Sequence, residues 1–235
     1  MNEDFSVIIP TYNERENIGT LISELLKINY IKKIIIVDDN SSDGTKEIIK
    51  SFEKFTNKII LIERKSKLGI GSAYLLGSKY VDTDFFITMD GDLSHNPIFI
   101  EVMKNFAKRA HIVIGSRHIK GSRIIGWGFY RYFVHNLANF IAKLFFLMNV
   151  KDLTSGFRVY NKRAFEILSK HIISKGFAFQ VEILLIAKRL GFKIYECPIV
   201  FVNRKKGSSK FNMKEALEFL FVLFKHLNSK LFQPS

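Results

Sequence analysis

Short runs of almost uninterrupted apolar residues recur through the first part of this chain: Ser6-Val7-Ile8-Ile9, Lys33-Ile34-Ile35-Ile36-Val37, Lys58-Ile59-Ile60-Leu61-Ile62 and Asp84-Phe85-Phe86-Ile87-Thr88. Runs like these, with little polar alternation, mark strands buried on both faces. The segments between them carry apolar residues at helical spacing. Ile18, Leu21, Ile22, Leu25 and Leu26 share one face of a helix from about Glu14 to Lys27, a second helix runs to Phe55, and a third opens at Leu68-Gly69-Ile70-Gly71-Ser72-Ala73 and continues through Tyr80. Strand and helix in regular alternation require a parallel sheet covered on both faces. Ligands of such sheets sit at the carboxyl ends of the strands. Here those ends are polar: Pro10-Thr11-Tyr12-Asn13-Glu14, Asp38-Asp39-Asn40-Ser41-Ser42-Asp43-Gly44-Thr45, and Asp90-Gly91-Asp92-Leu93-Ser94-His95-Asn96-Pro97.

The last of these clusters brings two carboxylates one residue apart to the end of a strand. Carboxylates so close repel unless a cation lies between them, and a hard divalent ion that keeps some waters and clasps a diphosphate needs only one or two. Asp90 and Asp92 therefore point to a metal-bound nucleotide. A plain Asp-Gly turn before the helix that follows Asn96-Pro97 fits the stretch equally well, and Asp43-Gly44 fits an ordinary cap and turn. Gly69-x-Gly71 is not a dinucleotide fingerprint, because Tyr74 stands where the third glycine is needed. No phosphate-binding Gly-Lys-Ser/Thr loop is present either. The two glycines read instead as a tight turn and a close backbone approach.

Charge narrows the partners. Lys+Arg 36 against Asp+Glu 22 gives a formal charge of +14, which suits a polyanion: nucleic acid, acidic lipid or a phosphorylated substrate. Asp39, Asp90 and Asp92 would repel a nucleic-acid backbone in the absence of metal, so no nucleic-acid partner is expected. With 47% hydrophobic residues the chain is not disordered, and a single cysteine, Cys197, excludes an internal disulfide and a cysteine-rich zinc site. Met1-Asn2-Glu3-Asp4 lacks the profile of a signal peptide.

Taken in order, the polar clusters carry a resemblance. Pro10-Thr11-Tyr12-Asn13-Glu14, Val37-Asp38-Asp39-Asn40-Ser41-Ser42-Asp43-Gly44-Thr45, Leu68-Gly69-x-Gly71 and Asp90-x-Asp92 resemble the nucleotide-sugar half of family-2 inverting glycosyltransferases. Gly115-Ser116-Arg117, Trp127 with Arg131, Asp152-x-Thr154-Ser155-Gly156-Phe157-Arg158, Phe179-Gln180-x-Glu182 and Arg204-x-x-Gly207-x-Ser209-Lys210 resemble a narrower branch, the dolichyl-phosphate or polyprenyl-phosphate mannosyltransferases. The likeness runs from about Val7 to Lys210. It implies an α/β fold: a single GT-A-like nucleotide-sugar-binding domain with a mainly parallel central sheet flanked by helices, plus amphipathic interface helices. It also implies transfer of a hexose, mannose from GDP-mannose, to the phosphate of a dolichol or polyprenol.

By the same resemblance Pro10, Tyr12, Glu14, Val37 and Asp39 hold the nucleoside, Gly91 lets the backbone approach the ribose or diphosphate, and Asp90 and Asp92 hold Mg2+ or Mn2+. The physics agrees: Tyr12 offers a ring face and a hydroxyl, and carboxylates accept hydrogen bonds from base and ribose. A lipid phosphate is largely ionised at neutral pH, so the reaction needs placed cations more than a base. Arg117, Arg131, Arg204 and Lys210 are the candidates, with Asp92, Arg117, Arg131 and Arg204 expected at the chemistry. The reading requires Asp90 and Asp92 to face the cleft that Asp39 and Arg117 border. Two positions depart from the pattern: Ser94 stands where the family often has a metal-binding glutamine, and His135 where it often has a serine. His95 is a ligand candidate, though a helix-entry histidine bonded to backbone is the simpler expectation.

The remaining segments read as follows. Gly121-Ser122-Arg123-Ile124-Ile125-Gly126-Trp127-Gly128 is expected to be a mobile basic loop beside an apolar helix from Tyr130 to Met148. Gly156 to Tyr160 reads as a strand, Ala178 to Leu190 as a helix, and Lys193 to Val202 as a strand leading into the basic loop from Arg204 to Lys210, a lid in function. Neither the stretch from Phe133 to Val150 nor that from Leu217 to Leu227 is long and apolar enough to span a bilayer, and both suit an interface or a partner. One catalytic domain over 1–211, including the interface helix at about 130–148, and an amphipathic helix over 212–235 are expected. Some relatives carry further membrane-spanning helices. This chain is expected in the cytoplasm, meeting its lipid at the membrane surface, with a small membrane protein as a candidate partner on Leu217 to Phe232. A different donor such as UDP-glucose, a non-lipid acceptor, or a non-catalytic nucleotide-binding protein are the alternatives.

Overall fold

The computed structural model describes residues 3–128, 139–140, 148–203 and 213–227. Strands β1 (Phe5–Thr11), β2 (Ile31–Asp38), β3 (Ile59–Glu63) and β4 (Phe85–Thr88) lie where the apolar runs place them. They alternate with α1 (Arg15–Leu26), α2 (Thr45–Glu53) and α3 (Ile70–Gly77). Further on come α4 (Ile100–Lys104), β5 (Ile112–Ser116), β6 (Arg123–Ile125), β7 (Arg158–Asn161), α5 (Lys162–Ser169), α6 (Phe179–Arg189), β8 (Ile194–Pro198), β9 (Val200–Val202) and α7 (Met213–Leu227).

The main sheet has the order β3-β2-β1-β4-β7-β5-β8. β1 pairs in parallel with both β2 and β4, β2 with β3, and β5 with β8, while β7 runs antiparallel to β4 and β5. The chain thus moves outward from β1 to β3 and then returns to the other side of β1, so the switch point lies at the carboxyl ends of β1, β2 and β4. Side chains that alternate along each strand serve opposite layers. Val7, Ile9, Ile34 and Ile36 pack under α1, α2 and α4, whereas Ile8, Ile35 and Val37 pack under α3, α5 and α6. Burial on both faces is why these strands read as continuous apolar runs.

Two expectations change here. The strand read from Lys193 to Val202 is divided: β8 belongs to the main sheet, and β9 pairs in parallel with β6 in a separate two-stranded sheet. The segment expected to be a mobile loop is therefore tied down. Arg123 N–H donates to Ile199 O (3.1 Å), Asn203 N–H to Ile125 O (2.8 Å), and the Trp127 ring meets Phe201 edge-on at 5.5 Å.

The C-terminal helix is joined to the body through a loop. Glu218 accepts the backbone N–H groups of Lys175 (2.7 Å) and Gly176, and Glu215 accepts that of Phe177 (2.8 Å). Beneath them Glu182, fully buried on α6, accepts N–H groups from Ile173 (3.0 Å) and Ser174 (2.9 Å) and faces His226 Nε2 at 2.7 Å. Burial opposes the charge on Glu182, yet hydrogen bonds from His226 and Ser174 keep its carboxyl below the usual range. On its outer face α7 exposes Leu217, Leu220, Phe221 and Phe224. No helix among the described residues is long and apolar enough to cross a membrane. The expected domain boundary at 211/212 and most of the expected interface helix lie outside the described residues, apart from Asn139, whose side chain accepts Leu153 N–H at 2.9 Å, and the exposed Phe140.

The other side of the same loop explains the glycines. Ser72 N–H donates to Lys175 O at 3.0 Å, and a Cβ on Gly71 would stand 2.6 Å from Phe179 Cβ. At Gly69, where φ is +95°, a Cβ would stand 2.5 Å from Lys175 O. Gly71→Ala is accordingly expected to destabilise the fold by about 1–3 kcal/mol through overpacking, read as a lower thermal midpoint; an unchanged midpoint would mean the loop stands off from α3.

Candidate active site

The cleft at the switch point is lined by Pro10, Thr11, Tyr12 and Glu14 after β1, Asp39 after β2, Lys67, Gly69 and Ile70 before α3, Asp90, Gly91 and Asp92 after β4, and Phe177 and Glu215. The adjacent aspartates after β2 have different work. Asp38 is fully buried and ties the loop together: Thr11 Oγ1 donates to it at 2.9 Å, and Ser41 donates its N–H (2.8 Å) and hydroxyl (2.5 Å). Asp39 faces the cleft and is ion-paired with Arg64, which also donates to Ser72 Oγ (2.7 Å) and Gly69 O (3.1 Å), while Leu68 N–H reaches Asp39 at 3.2 Å. Burial lifts the Asp39 carboxyl above its ordinary range, and the Arg64 guanidinium pulls against that rise. Arg64 thereby staples the β2 end to the start of α3. Lys67 stands over the Tyr12 ring, 5.0 Å from its centre.

The loop after β4 is held in a conformation rare for its sequence. Leu93 has φ of +61°, a strained value for a branched side chain, and Asp92 caps the turn by accepting Ser94 N–H at 3.0 Å. His95 lies buried under the loop, stacked on Phe157 (5.2 Å) and edge-on to Phe201 (5.5 Å), with Nδ1 accepting Asp90 N–H at 3.3 Å. Burial keeps its imidazole below the usual range, against the carboxylates of Asp90 and Asp92. The geometry is that of a neutral strut bonded to backbone. Ser94 is buried beside it and contributes its carbonyl to Val202 N–H (3.3 Å).

Asp90 and Asp92 thus border the same cleft as Asp39. Arg117 does not line it. It follows β5 and is clamped on Asp152, Nε to Oδ2 at 2.7 Å and Nη2 to Oδ1 at 2.8 Å, with Nη2 also donating to Thr154 (2.9 Å). Its guanidinium lies 5.4 Å from the Trp127 ring and 5.3 Å from that of Phe201. Val37 is a fully buried core residue beneath α3 and is not among the residues that line the cleft. Arg131, His135, Arg204 and Lys210 lie outside the described residues. Sequence reasoning passed over Arg64, Lys67, Phe177 and Glu215. The first two stand in the basic stretch before Gly69, a signal that was present; nothing in the pattern placed Phe177 or Glu215 at the donor edge.

A sheet that reverses at β1, with acidic loops gathered at the carboxyl ends of β1, β2 and β4 and a carboxylate pair after β4, defines a glycosyltransferase of the GT-A kind. The model for glycosyl transferase family 2 matches residues 6–168, and the chain belongs to that family. Among curated relatives, the undecaprenyl-phosphate mannosyltransferase of Micrococcus luteus is 31% identical over 207 residues, covering 86% of this chain and 85% of the relative. The dolichol-phosphate mannosyltransferase of Pyrococcus furiosus is 37% identical over 226 residues, covering 92% of this chain and 61% of that longer protein. In fold, the chain resembles glucosyl-3-phosphoglycerate synthase from Mycobacterium tuberculosis, solved in complex with Mn2+, UDP and phosphoglyceric acid. The TM-score is 0.73 at 16% identity, over 96% of this chain and 79% of that one.

Proposed function

We propose that this glycosyltransferase moves mannose from GDP-mannose to the phosphate of a dolichol or polyprenol carrier, with inversion at the anomeric carbon and with Mg2+ or Mn2+ bound. The observation that carries the donor half is the meeting of Asp90 and Asp92 with Asp39, Tyr12 and Glu14 in one cleft. The names of the curated relatives support the mannosyl group and the lipid phosphate.

The residues present suit a divalent ion. Among the described residues no group of three or more His, Cys, Asp or Glu side chains forms a metal cage. Two carboxylates in an open cleft are what a hard ion needs when it keeps its waters and shares diphosphate oxygens. Asp90 and Asp92 would hold it, and it would supply Lewis-acid stabilisation of the departing diphosphate. Tyr12, Glu14 and Asp39 orient the nucleoside, and Lys67 brings a cation to the same wall. A lipid phosphate oxygen then forms its bond to the sugar carbon as the bond to the diphosphate breaks, and the nucleoside diphosphate leaves with the electron pair. Arg117, its fork held rigid on Asp152, is proposed to offer its guanidinium charge to the incoming phosphate; Arg131, Arg204 and Lys210 are proposed to share that task. The apolar stripe of Leu217, Leu220, Phe221 and Phe224 supports action at a membrane surface.

The test is incubation with GDP-mannose or UDP-glucose, short polyprenyl phosphates, and Mg2+, Mn2+ or chelator. Mannosyl phosphoryl lipid formed from GDP-mannose only with metal is the expected product. Transfer from UDP-glucose alone would replace the donor, and no lipid product from either would overturn the reading.

A further inference from the structure

Behind the carboxylate pair, on the side away from solvent, lies a cluster of polar groups that the donor reading does not use. Gly156 precedes β7, and the position a Cβ would take there lies 3.2 Å from Asp90 Oδ1, 3.3 Å from Gln180 Nε2 and 3.4 Å from the Tyr74 hydroxyl. Gln180 is 2% exposed and Tyr74 fully buried. Neither the Gln180 amide, through Nε2 or Oε1, nor the Tyr74 hydroxyl has a hydrogen bond of good geometry, although the two groups face each other. Burial first, and then the charge of Asp90, push the Tyr74 phenol well above its usual range, so it is an O–H donor. Fully buried Arg158, which donates to Tyr160 (3.2 Å) and Leu153 O (2.9 Å), adds positive charge to the same wall.

Buried amides are nearly always paired, and one left without a partner calls for an explanation, a functional role among them. Here the unmatched groups and an oxygen of the first aspartate of the pair surround one space, the one a Cβ on Gly156 would enter. Asp90 is the more open of the two carboxylates: its side chain is 33% exposed, and its other oxygen, Oδ2, stands 3.7 Å from His95 Nδ1. The glycine keeps the space between these groups clear.

We propose that Gln180, with Tyr74, is a positioning residue for Asp90, its amide reaching Oδ1 across the space over Gly156 when donor and metal bind, so that the carboxylate meets them in one orientation. The proposal rests on the reading of Asp90 as a donor-site carboxylate. Groups that orient a metal-binding side chain typically matter tenfold to a hundredfold for metal affinity. A filler of the core would instead matter for stability.

The test measures thermal protection of the full chain by GDP over a Mn2+ titration, in wild type, Gln180→Met and Gly156→Ala. Gln180→Met keeps the volume and removes the amide, and Gly156→Ala puts a methyl against Asp90 Oδ1. Both are expected to raise the Mn2+ concentration for half-maximal protection about tenfold or more, with the melting temperature of Gln180→Met without ligand unchanged or higher. Tyr74→Phe, which removes one oxygen, supplies the second reading should a variant fail to fold, and a smaller shift in the same direction is expected. An unchanged Mn2+ requirement in the variants, with wild-type protection intact, overturns the positioning role alone. Absence of metal-dependent protection in the wild type overturns the donor-site reading and this proposal with it.

Discussion

Asp92→Asn is expected to abolish transfer for practical purposes, with kcat/KM falling by about a thousandfold, roughly 4 kcal/mol of transition-state stabilisation. Asn keeps an oxygen in place to accept Ser94 N–H, the 3.0 Å bond that caps the turn, so the strained backbone at Leu93 retains its support. What disappears is one negative charge on the cleft. A loss through misfolding would lower the thermal midpoint, whereas a loss through charge leaves the melt near wild type and removes the protection that GDP and Mn2+ confer together. Activity within tenfold of wild type at saturating Mn2+ would place the metal elsewhere, or show that it is not needed. Asp38→Asn is the natural control: that carboxylate is fully buried and bonded to Thr11 and Ser41, so its loss is a matter of stability.

The largest stability effect is expected at Asp152, which is fully buried. Asp152 accepts both the Arg117 side chain and the backbone N–H groups of Arg117 (2.9 Å) and Ser155 (3.1 Å). Removing it strands a mostly buried guanidinium between Trp127 and Phe201. Breaking one partner from a buried pair costs about 3–5 kcal/mol. For a domain of this size that corresponds to a fall of roughly 6–20 °C in melting temperature for Asp152→Ala. Asp152→Asn retains one acceptor oxygen and is expected to lose less. If Asp152→Ala melts like wild type, the clamp contributes nothing and Arg117 is free to turn elsewhere. If both variants fold but transfer fails with the KM for the lipid raised, the clamp serves to aim the arginine.

Much of the donor half was legible because buried parallel strands leave a distinctive trace. The runs of β1 to β4 are apolar on both faces, and each stops at side chains that cannot remain inside. Asp39, Asp90, Asp92, Tyr12 and Glu14 fall at those stops, and the fold brings them to one cleft. The reading failed where the information lies in pairing between distant segments. Nothing in Gly156 to Tyr160 says that β7 inserts antiparallel between β4 and β5. Arg123-Ile124-Ile125 looked like a loop because three residues flanked by glycines carry little pattern of their own, and their order comes from β9 far along the chain. Arg64 stands in a basic stretch that could have drawn attention, but its tie to Asp39 is not written there, since the two come within reach only once β2 and β3 lie side by side. Val37 was assigned to the nucleoside by the family resemblance alone, and strand alternation sends its side chain to the opposite layer from Ile36.

Glu215 belongs at once to the wall of the donor cleft and, through Phe177, to the loop seated on Gly69 and Gly71. The greasy outer surface of α7 is therefore one turn of helix away from that cleft. Whatever that surface rests on is mechanically in series with the cleft, and a cut made before residue 213 to remove the apolar helix would dismantle part of the cleft wall as well. Shortened versions of this enzyme would report on two events while seeming to isolate one.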